Sequence, residues 1–244
     1  MDLDELRRRV ARLEGRPVDT ATVPVHPALA GLLTPRVGGV YGVDAASLAL
    51  TLASGPSAAG AWCGVVECPD LGLTAAREAG IDTDRLVVVP DAAELWWEVV
   101  AALVDSLALV VVRPPARVPA RDAARLAARL RTRQCVLVVW GEWPRCDGRL
   151  SLVSSQWSGV GHGHGHLRSR RAVIEARSAV AVSQRREVWL PGDPGHGGGV
   201  GPWAADAAHG GGALRGSQAR TSGTTGPWAA DEAEPALQLL RGAS

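Results

Sequence analysis

The chain has 244 residues, 46% of them hydrophobic, and a formal net charge of +1 at pH 7. This length suits one α/β domain of ordinary size with extensions. All 26 basic residues are Arg, and the absence of Lys excludes Schiff-base chemistry and a phosphate-binding lysine from this chain. The start is charged and has no apolar signal region, and no run approaches the ~18 apolar residues of a membrane span. We therefore expect a cytoplasmic protein.

The N-terminal segment 1–16 is predicted to form an amphipathic helix. Its apolar residues follow a 3-4-3 spacing, at Leu3, Leu6, Val10 and Leu13, and Gly15 ends the helix. So short a helix is stable only when its apolar face packs against another surface, either its own domain or a partner. Residues 17–29 follow as an extended linker.

Residues 30–191 are predicted to be a doubly wound α/β core. Nearly continuous Val and Leu runs alternate with helical patterns, which indicates a mainly parallel sheet covered on both faces. The predicted strands are 38–41, 61–66, 86–89, 107–112 and 135–140, and the predicted helices are 45–53, 73–79, 92–103 and 120–131. Shorter alternating runs at 150–154, 171–177 and 188–191 predict antiparallel strands at the C-terminal end of the core.

The tail, residues 192–244, is rich in Gly, Ala, Ser, Thr and Pro, a composition typical of disorder. It contains the hexapeptide Gly-Pro-Trp-Ala-Ala-Asp twice, with its tryptophans at Trp203 and Trp228. Large aromatic side chains commonly anchor interfaces. The repeat is therefore either a short binding motif or a duplication without function.

Neither the cysteines nor the histidines predict a metal site. Cys63, Cys68, Cys135 and Cys146 form no C-x-x-C pair, so reduced thiols, mostly buried, are expected. The alternating histidines of residues 162–166 have no Cys or carboxylate at ligand spacing, and a glycine-rich turn explains them.

A degenerate phosphate-binding loop follows the first strand. A P-loop needs a second Gly, a Lys for the phosphates and a Ser or Thr for Mg²⁺. After Gly42 those three positions are Ser47, Leu48 and Ala49. The sequence therefore predicts no nucleotide cofactor and no catalytic residues.

Gly39-Val40-Tyr41-Gly42 and the segment 74–86, Thr-Ala-Ala-Arg-Glu-Ala-Gly-Ile-Asp-Thr-Asp-Arg-Leu, resemble the RecA recombinase core. The resemblance implies a RecA-like fold with altered catalytic positions. The strand 107–112 ends in Arg113, where RecA has an Asp associated with Mg²⁺. The position of the general-base Glu falls on Cys68 or, with a one-residue shift, on Glu67, which cannot support hydrolysis without metal and phosphate clamps.

Together with the Arg-rich composition and the tail, the segments 157–164 and 188–192 make the chain similar to the actinobacterial ImuA-prime group. That resemblance implies a mutasome accessory in the SOS response to DNA damage, nucleoid-associated when recruited to damaged DNA. It also implies a partner, an ImuB-type inactive homologue of Y-family polymerases. Through that partner it implies an error-prone C-family polymerase and the sliding clamp.

Two further groups of residues suggest DNA contact. Arg121, Arg125 and Arg129 recur every four residues on the predicted helix, and Arg133 extends this stripe. No acid in the helix balances these charges except Asp122. Such a stripe either binds phosphates or an acidic partner, or is a solvated face. Trp143 and Arg145 follow the strand after which RecA-type proteins place a DNA-contacting loop. They either stack on bases or, for Trp143, fill the core.

Three hypotheses follow from these features. The first is a non-enzymatic RecA-like accessory of translesion synthesis. The second is a divergent ATPase that binds nucleotide through backbone amides and Arg36 or Arg113. The third is a modulator of RecA filaments.

Overall fold

The computed structural model describes residues 21–161, 164–178 and 182–190. Four α-helices and eight strands lie in these ranges. The helices are α1 (Ala46–Ala58), α2 (Leu73–Glu78), α3 (Trp96–Ser106) and α4 (Ala120–Arg133). The strands are β1 (Val40–Val43), β2 (Cys63–Val66), β3 (Leu86–Val89), β4 (Leu109–Val112), β5 (Val136–Trp140), β6 (Gly148–Gly161), β7 (His164–Ser178) and β8 (Gln184–Leu190).

All eight strands form one mixed sheet in the order β3-β2-β4-β5-β1-β6-β7-β8. The pairings from β3 to β6 are parallel, and β7 pairs antiparallel with both β6 and β8. The expectation of a mostly parallel α/β sheet with antiparallel strands at the C-terminal end of the core is confirmed. The Val- and Leu-rich strands β4 and β5 are central and almost completely buried, whereas β3, of similar composition, is an edge strand and only partly buried.

Each face of the sheet carries its own core. On one face, α1 and Ala76 of α2 join a cluster that includes Val65, Val138 and Ile174. On the other face, α3 and α4 pack on Val110 and Leu137. This is the doubly covered arrangement expected of parallel strands linked by helical crossovers.

Helix α1 is longer than the predicted 45–53 and continues to Ala58 through Gly55 and Pro56. Proline removes one helical hydrogen bond, but burial outweighs that loss, because every residue from Leu48 to Ser57 is buried. Residues 21–37 lie over this helix, with Val23 and Leu29 in the same core. Part of the segment predicted as a linker therefore packs on the core.

The hairpin of β6 and β7 is much longer than the predicted runs 150–154 and 171–177. Its strands have 14 and 15 residues, and the register shifts between Leu152 and Ser154 and again between Ser158 and Val160. Bulges of this kind interrupt the period of two on which strand prediction depends. Next to the edge strand β8, the Glu175 carboxylate of β7 accepts hydrogen bonds from Arg177, Ser183 and Arg185.

Within the described ranges, no helix has the length and apolar character needed to cross a membrane. The predicted N-terminal helix, with Leu3, Leu6, Val10 and Leu13, lies outside the described residues. So do the tail and its two tryptophans, Trp203 and Trp228.

Candidate functional site

The turn between β1 and α1 is the place where a phosphate-binding loop would lie. Only Asp44 and Ala45 connect Val43, the last residue of β1, to Ala46, the first of α1. So short a connection cannot wrap a ring of backbone amides around a phosphate. The Asp44 carboxylate accepts a hydrogen bond from the Leu152 amide at 2.9 Å, which ties the turn to β6 and places negative charge there.

Ser47, Leu48 and Ala49, at the P-loop positions that bind phosphate and Mg²⁺, make contacts within the protein. Leu48 and Ala49 are completely buried in the core beneath α1. The Ser47 carbonyl accepts a hydrogen bond from Thr51 Oγ1, and Ser47 Oγ accepts one from Arg170 Nη1 at 2.9 Å.

Arg170 of β7 is a charged residue at this turn that the sequence did not reveal. Its guanidinium lies 5.3 Å from the ring centroid of Trp157, whose side chain is 54% exposed. The buried Arg170 Nε has no hydrogen-bond acceptor among the described residues, and desolvation by burial lowers the pKa of Arg170. Ser47 and Arg170 are 123 positions apart, so no local motif signals this contact.

Arg113 directly follows β4, at the position where the resemblance to RecA implies an Asp associated with Mg²⁺. Its guanidinium lies 4.7 Å from the ring centroid of Trp140, at the end of the adjacent β5. Arg113 Nη1 is 3.2 Å from Asp70 Oδ2. The charge of Arg113 is thus paired, and a cation here repels Mg²⁺.

Glu67 and Cys68, at the end of β2, have local structural roles. The Glu67 carboxylate accepts a hydrogen bond from the Ala92 amide, and its backbone has a positive φ of 57°. Cys68 is buried, and desolvation raises the pKa of its thiol to about 11. A thiol with so high a pKa is a poor nucleophile at neutral pH.

The four cysteines are free thiols, and Cys63, Cys68 and Cys135 are buried, so the prediction of reduced thiols, mostly buried, is confirmed. Burial raises the pKa of Cys63 to about 12, and it also raises the pKa of Cys135. In the described part of the chain, no group of three or more His, Cys, Asp or Glu residues has the geometry of a metal site.

The arginine stripe is partly neutralised by a residue from the neighbouring helix. Arg129 donates two hydrogen bonds to the Asp105 carboxylate, at 2.7 and 2.5 Å, and Arg133 Nε lies 3.2 Å from the same carboxylate. Arg121 and Arg125 are exposed and form no salt bridge with any residue that the structure describes. The four arginines with Asp105 and Asp122 leave a net charge of +2 (4 − 2).

Of the two residues in the loop after β5 that were proposed to contact DNA, Trp143 is buried and Arg145 is exposed. Trp143 is buried in the core, with its ring centroid 6.5 Å from that of Trp97. To stack on a base it would have to leave the core, so its position favours the interpretation of Trp143 as a core residue. Arg145 is exposed in the same loop.

The pairing of Asp105 with Arg129 has a measurable pH dependence. The hydrogen bond from Arg129 lowers the pKa of Asp105, so the stabilisation is present above the unfolded pKa near 4 and is lost as the pH falls through the folded pKa. Replacing Asp105 by Asn should cost about 1 kcal/mol or less at pH 7, because the pair is partly exposed. Denaturant unfolding at pH 7 and below pH 4 measures this difference, which should shrink at the lower pH.

The matched control is Asp84→Asn, because Asp84 is exposed and its carboxylate has no hydrogen bond or salt bridge among the described residues. Its cost should be small, because its carboxylate makes no such contact. If both variants show the same pH profile, the Asp105 pairs contribute nothing measurable to stability.

The chain forms an α/β domain whose first strand-to-helix turn does not carry the phosphate-binding groups of a P-loop. Residues 27–145 match the model of the MT3502 N-terminal domain family. The chain is also 37% identical over 156 residues to "Uncharacterized protein Rv3395c" of Mycobacterium tuberculosis, a match that covers 61% of this chain and 74% of that relative. The chain therefore belongs to the family of Rv3395c.

Proposed function

We propose that the chain is a non-catalytic, RecA-like accessory protein in damage-induced translesion DNA synthesis. In this role it bridges an ImuB-type inactive Y-family polymerase homologue and an error-prone C-family polymerase. The observation that carries the proposal is the β1–α1 turn. It lies where a nucleotide would bind, yet it has only two residues and is followed by the buried Leu48 and Ala49.

The sheet supports the RecA-like part of the proposal. The degenerate loop follows a strand inside the parallel region, and the antiparallel strands lie beyond it on one side. That is the arrangement that the resemblance to the RecA core implies. The ImuA-prime part rests on the sequence segments 157–164 and 188–192 and on the composition of the chain.

The positions of Arg113 and Arg36 give little support to the hypothesis of a divergent ATPase. Arg113 is paired with Asp70 and stacked on Trp140, so it would have to release both before it could bind a phosphate. Arg36 precedes β1 and so lies toward the amino end of that strand, whereas the degenerate loop follows its carboxyl end. A protein with these residues at the carboxyl ends of β1 and β4 acts through its surfaces rather than through hydrolysis.

Binding to a purified ImuB-type partner tests the proposed function. We expect the full chain to bind that partner and the double variant Trp203→Ala and Trp228→Ala to bind more weakly, because large aromatic residues commonly anchor interfaces. The loss should be at least several-fold, since an anchor residue typically contributes more than about 1 kcal/mol. Titration calorimetry of both proteins against the partner measures it.

Parallel titrations against RecA filaments and against the ImuB-type partner distinguish the hypotheses. Binding to RecA filaments and not to the ImuB-type partner would favour the modulator hypothesis and contradict the proposed role. Undiminished binding by the double variant would place the contact in the core or the N-terminal helix, and Leu6→Asp with Val10→Asp would then be measured.

A further inference from the structure

A groove between α3 and α4 joins an apolar floor to a basic rim. Its cavity has a volume of about 330 Å³ and is lined by Trp97, Ala101, Asp122, Arg125, Leu126 and Arg129. Trp97 is partly buried: its ring centroid lies 4.7 Å from that of Trp96, edge-on, and 6.5 Å from that of Trp143, and its side chain also lines the groove. An aromatic side chain entering the groove would contact Trp97 and Leu126.

The rim of this groove favours an acidic occupant. Asp105 holds Arg129, but the exposed Arg121 and Arg125 have no acidic partner among the described residues, and Asp122 is the one acid in the lining. Arg125 lines the groove, and Arg121 lies one helical turn before it on α4. Two such guanidinium groups near an apolar floor suit a segment that combines an aromatic anchor with carboxylates.

One segment of this chain has that composition. The second copy of the tail repeat continues Trp228-Ala229-Ala230-Asp231-Glu232-Ala233-Glu234, so three carboxylates follow its tryptophan and no basic residue lies among them. The first copy continues Trp203-Ala204-Ala205-Asp206-Ala207-Ala208-His209 and has a single carboxylate. The two copies therefore share the aromatic anchor and differ in charge.

We propose that the segment 227–234 of the tail docks into the α3–α4 groove of its own chain, with Trp228 on the apolar floor and its carboxylates on Arg121 and Arg125. The chain length allows this contact. Trp228 follows Leu190, the end of β8, by 38 positions (228 − 190). A flexible coil of that many residues would span roughly 34 Å, whereas the four strand spacings from β8 to β5 measure about 19 Å.

The docked segment would cover the two unpaired arginines of the stripe. Any phosphate backbone or acidic partner that binds Arg121 and Arg125 would then compete with the tail. The inference does not rest on the proposed function, because it concerns a contact within one chain, but docking in the groove would compete with any role of Trp228 as an anchor for a partner.

The indole N–H resonance of Trp97 in the full-length, ¹⁵N-labelled protein tests the inference, with a Trp97→Phe variant to assign the signal. We expect Trp228→Ala to shift this resonance. Neutralising the three acids by Asp231→Asn, Glu232→Gln and Glu234→Gln should shift it in the same direction. The matched control Trp203→Ala should leave it in place, because the first copy has too few carboxylates to dock.

Salt and concentration complete the experiment. About 0.5 M NaCl should move the wild-type resonance toward its position in Trp228→Ala, since screening weakens exposed charge pairs. The inference is overturned if the Trp97 resonance is identical in wild type and Trp228→Ala, or if Trp203→Ala has the same effect. A shift that depends on protein concentration would also overturn it, because the occupant would then be the tail of a second copy.

Discussion

Replacing Leu48 by Lys, which restores the P-loop lysine, should destabilise the protein by about 4 kcal/mol or more and should not create a nucleotide site. Leu48 is completely buried, and the new ammonium group would lie in the core beneath α1 without a partner. A buried ammonium group without a partner either loses its proton or destabilises the folded state until the protein unfolds. Guanidinium chloride unfolding measures the loss.

Leu48→Met is the control, because it nearly conserves volume and should cost less than about 1.5 kcal/mol. The comparison separates the effect of charge from that of an altered shape. A Leu48→Lys protein with wild-type stability and new affinity for Mg-ATP would show that this position can face a phosphate and would contradict the burial of Leu48 in the core.

Gly55→Ala should destabilise the protein by about 3 kcal/mol, although Ala is ordinarily the better helix former. A Cβ at this position would lie 2.2 Å from the Pro24 carbonyl oxygen and 2.8 Å from the Val25 Cα, both of which are backbone atoms. The segment 21–37 would have to move away from α1 to make room. Equilibrium unfolding in denaturant measures the cost.

The control is Gly72→Ala, at the N-terminus of α2. There the nearest atom to a new Cβ is the Ala75 Cβ at 4.0 Å, and loss of a glycine cap costs only a few tenths of a kcal/mol to about 1 kcal/mol. A Gly55→Ala variant as stable as wild type would mean that the segment 21–37 does not pack tightly on α1.

The sequence predicts the parallel part of the sheet well because its strands are short, apolar and bounded by turn residues. The predicted strand 86–89 coincides with β3, and the predicted helix 120–131 differs from α4 only at its C-terminal end. The patterns fail where burial outweighs a local rule. In α1 the Gly55-Pro56 pair reads as a helix end, yet packing on both sides carries the helix to Ala58.

The candidate sites are harder to predict because their contacts join distant parts of the chain. Asp105 is 24 positions from Arg129, so the stripe reads as more positively charged than it is. Arg170 and Trp157 lie in a long hairpin whose bulges disrupt the alternation. By contrast, the loss of phosphate-binding groups at Ser47, Leu48 and Ala49 is visible in the sequence, because it depends only on residue types at fixed spacing.

Titration calorimetry of the full-length protein with Mg-ATP tests the central claim most directly. The two-residue turn with Asp44, the buried Leu48 and the paired Arg113 remove several charge-assisted contacts, each worth about 1.5–3 kcal/mol. We therefore predict no binding heat at micromolar or submillimolar ATP, with or without Mg²⁺. Micromolar binding that requires Mg²⁺ would contradict the account.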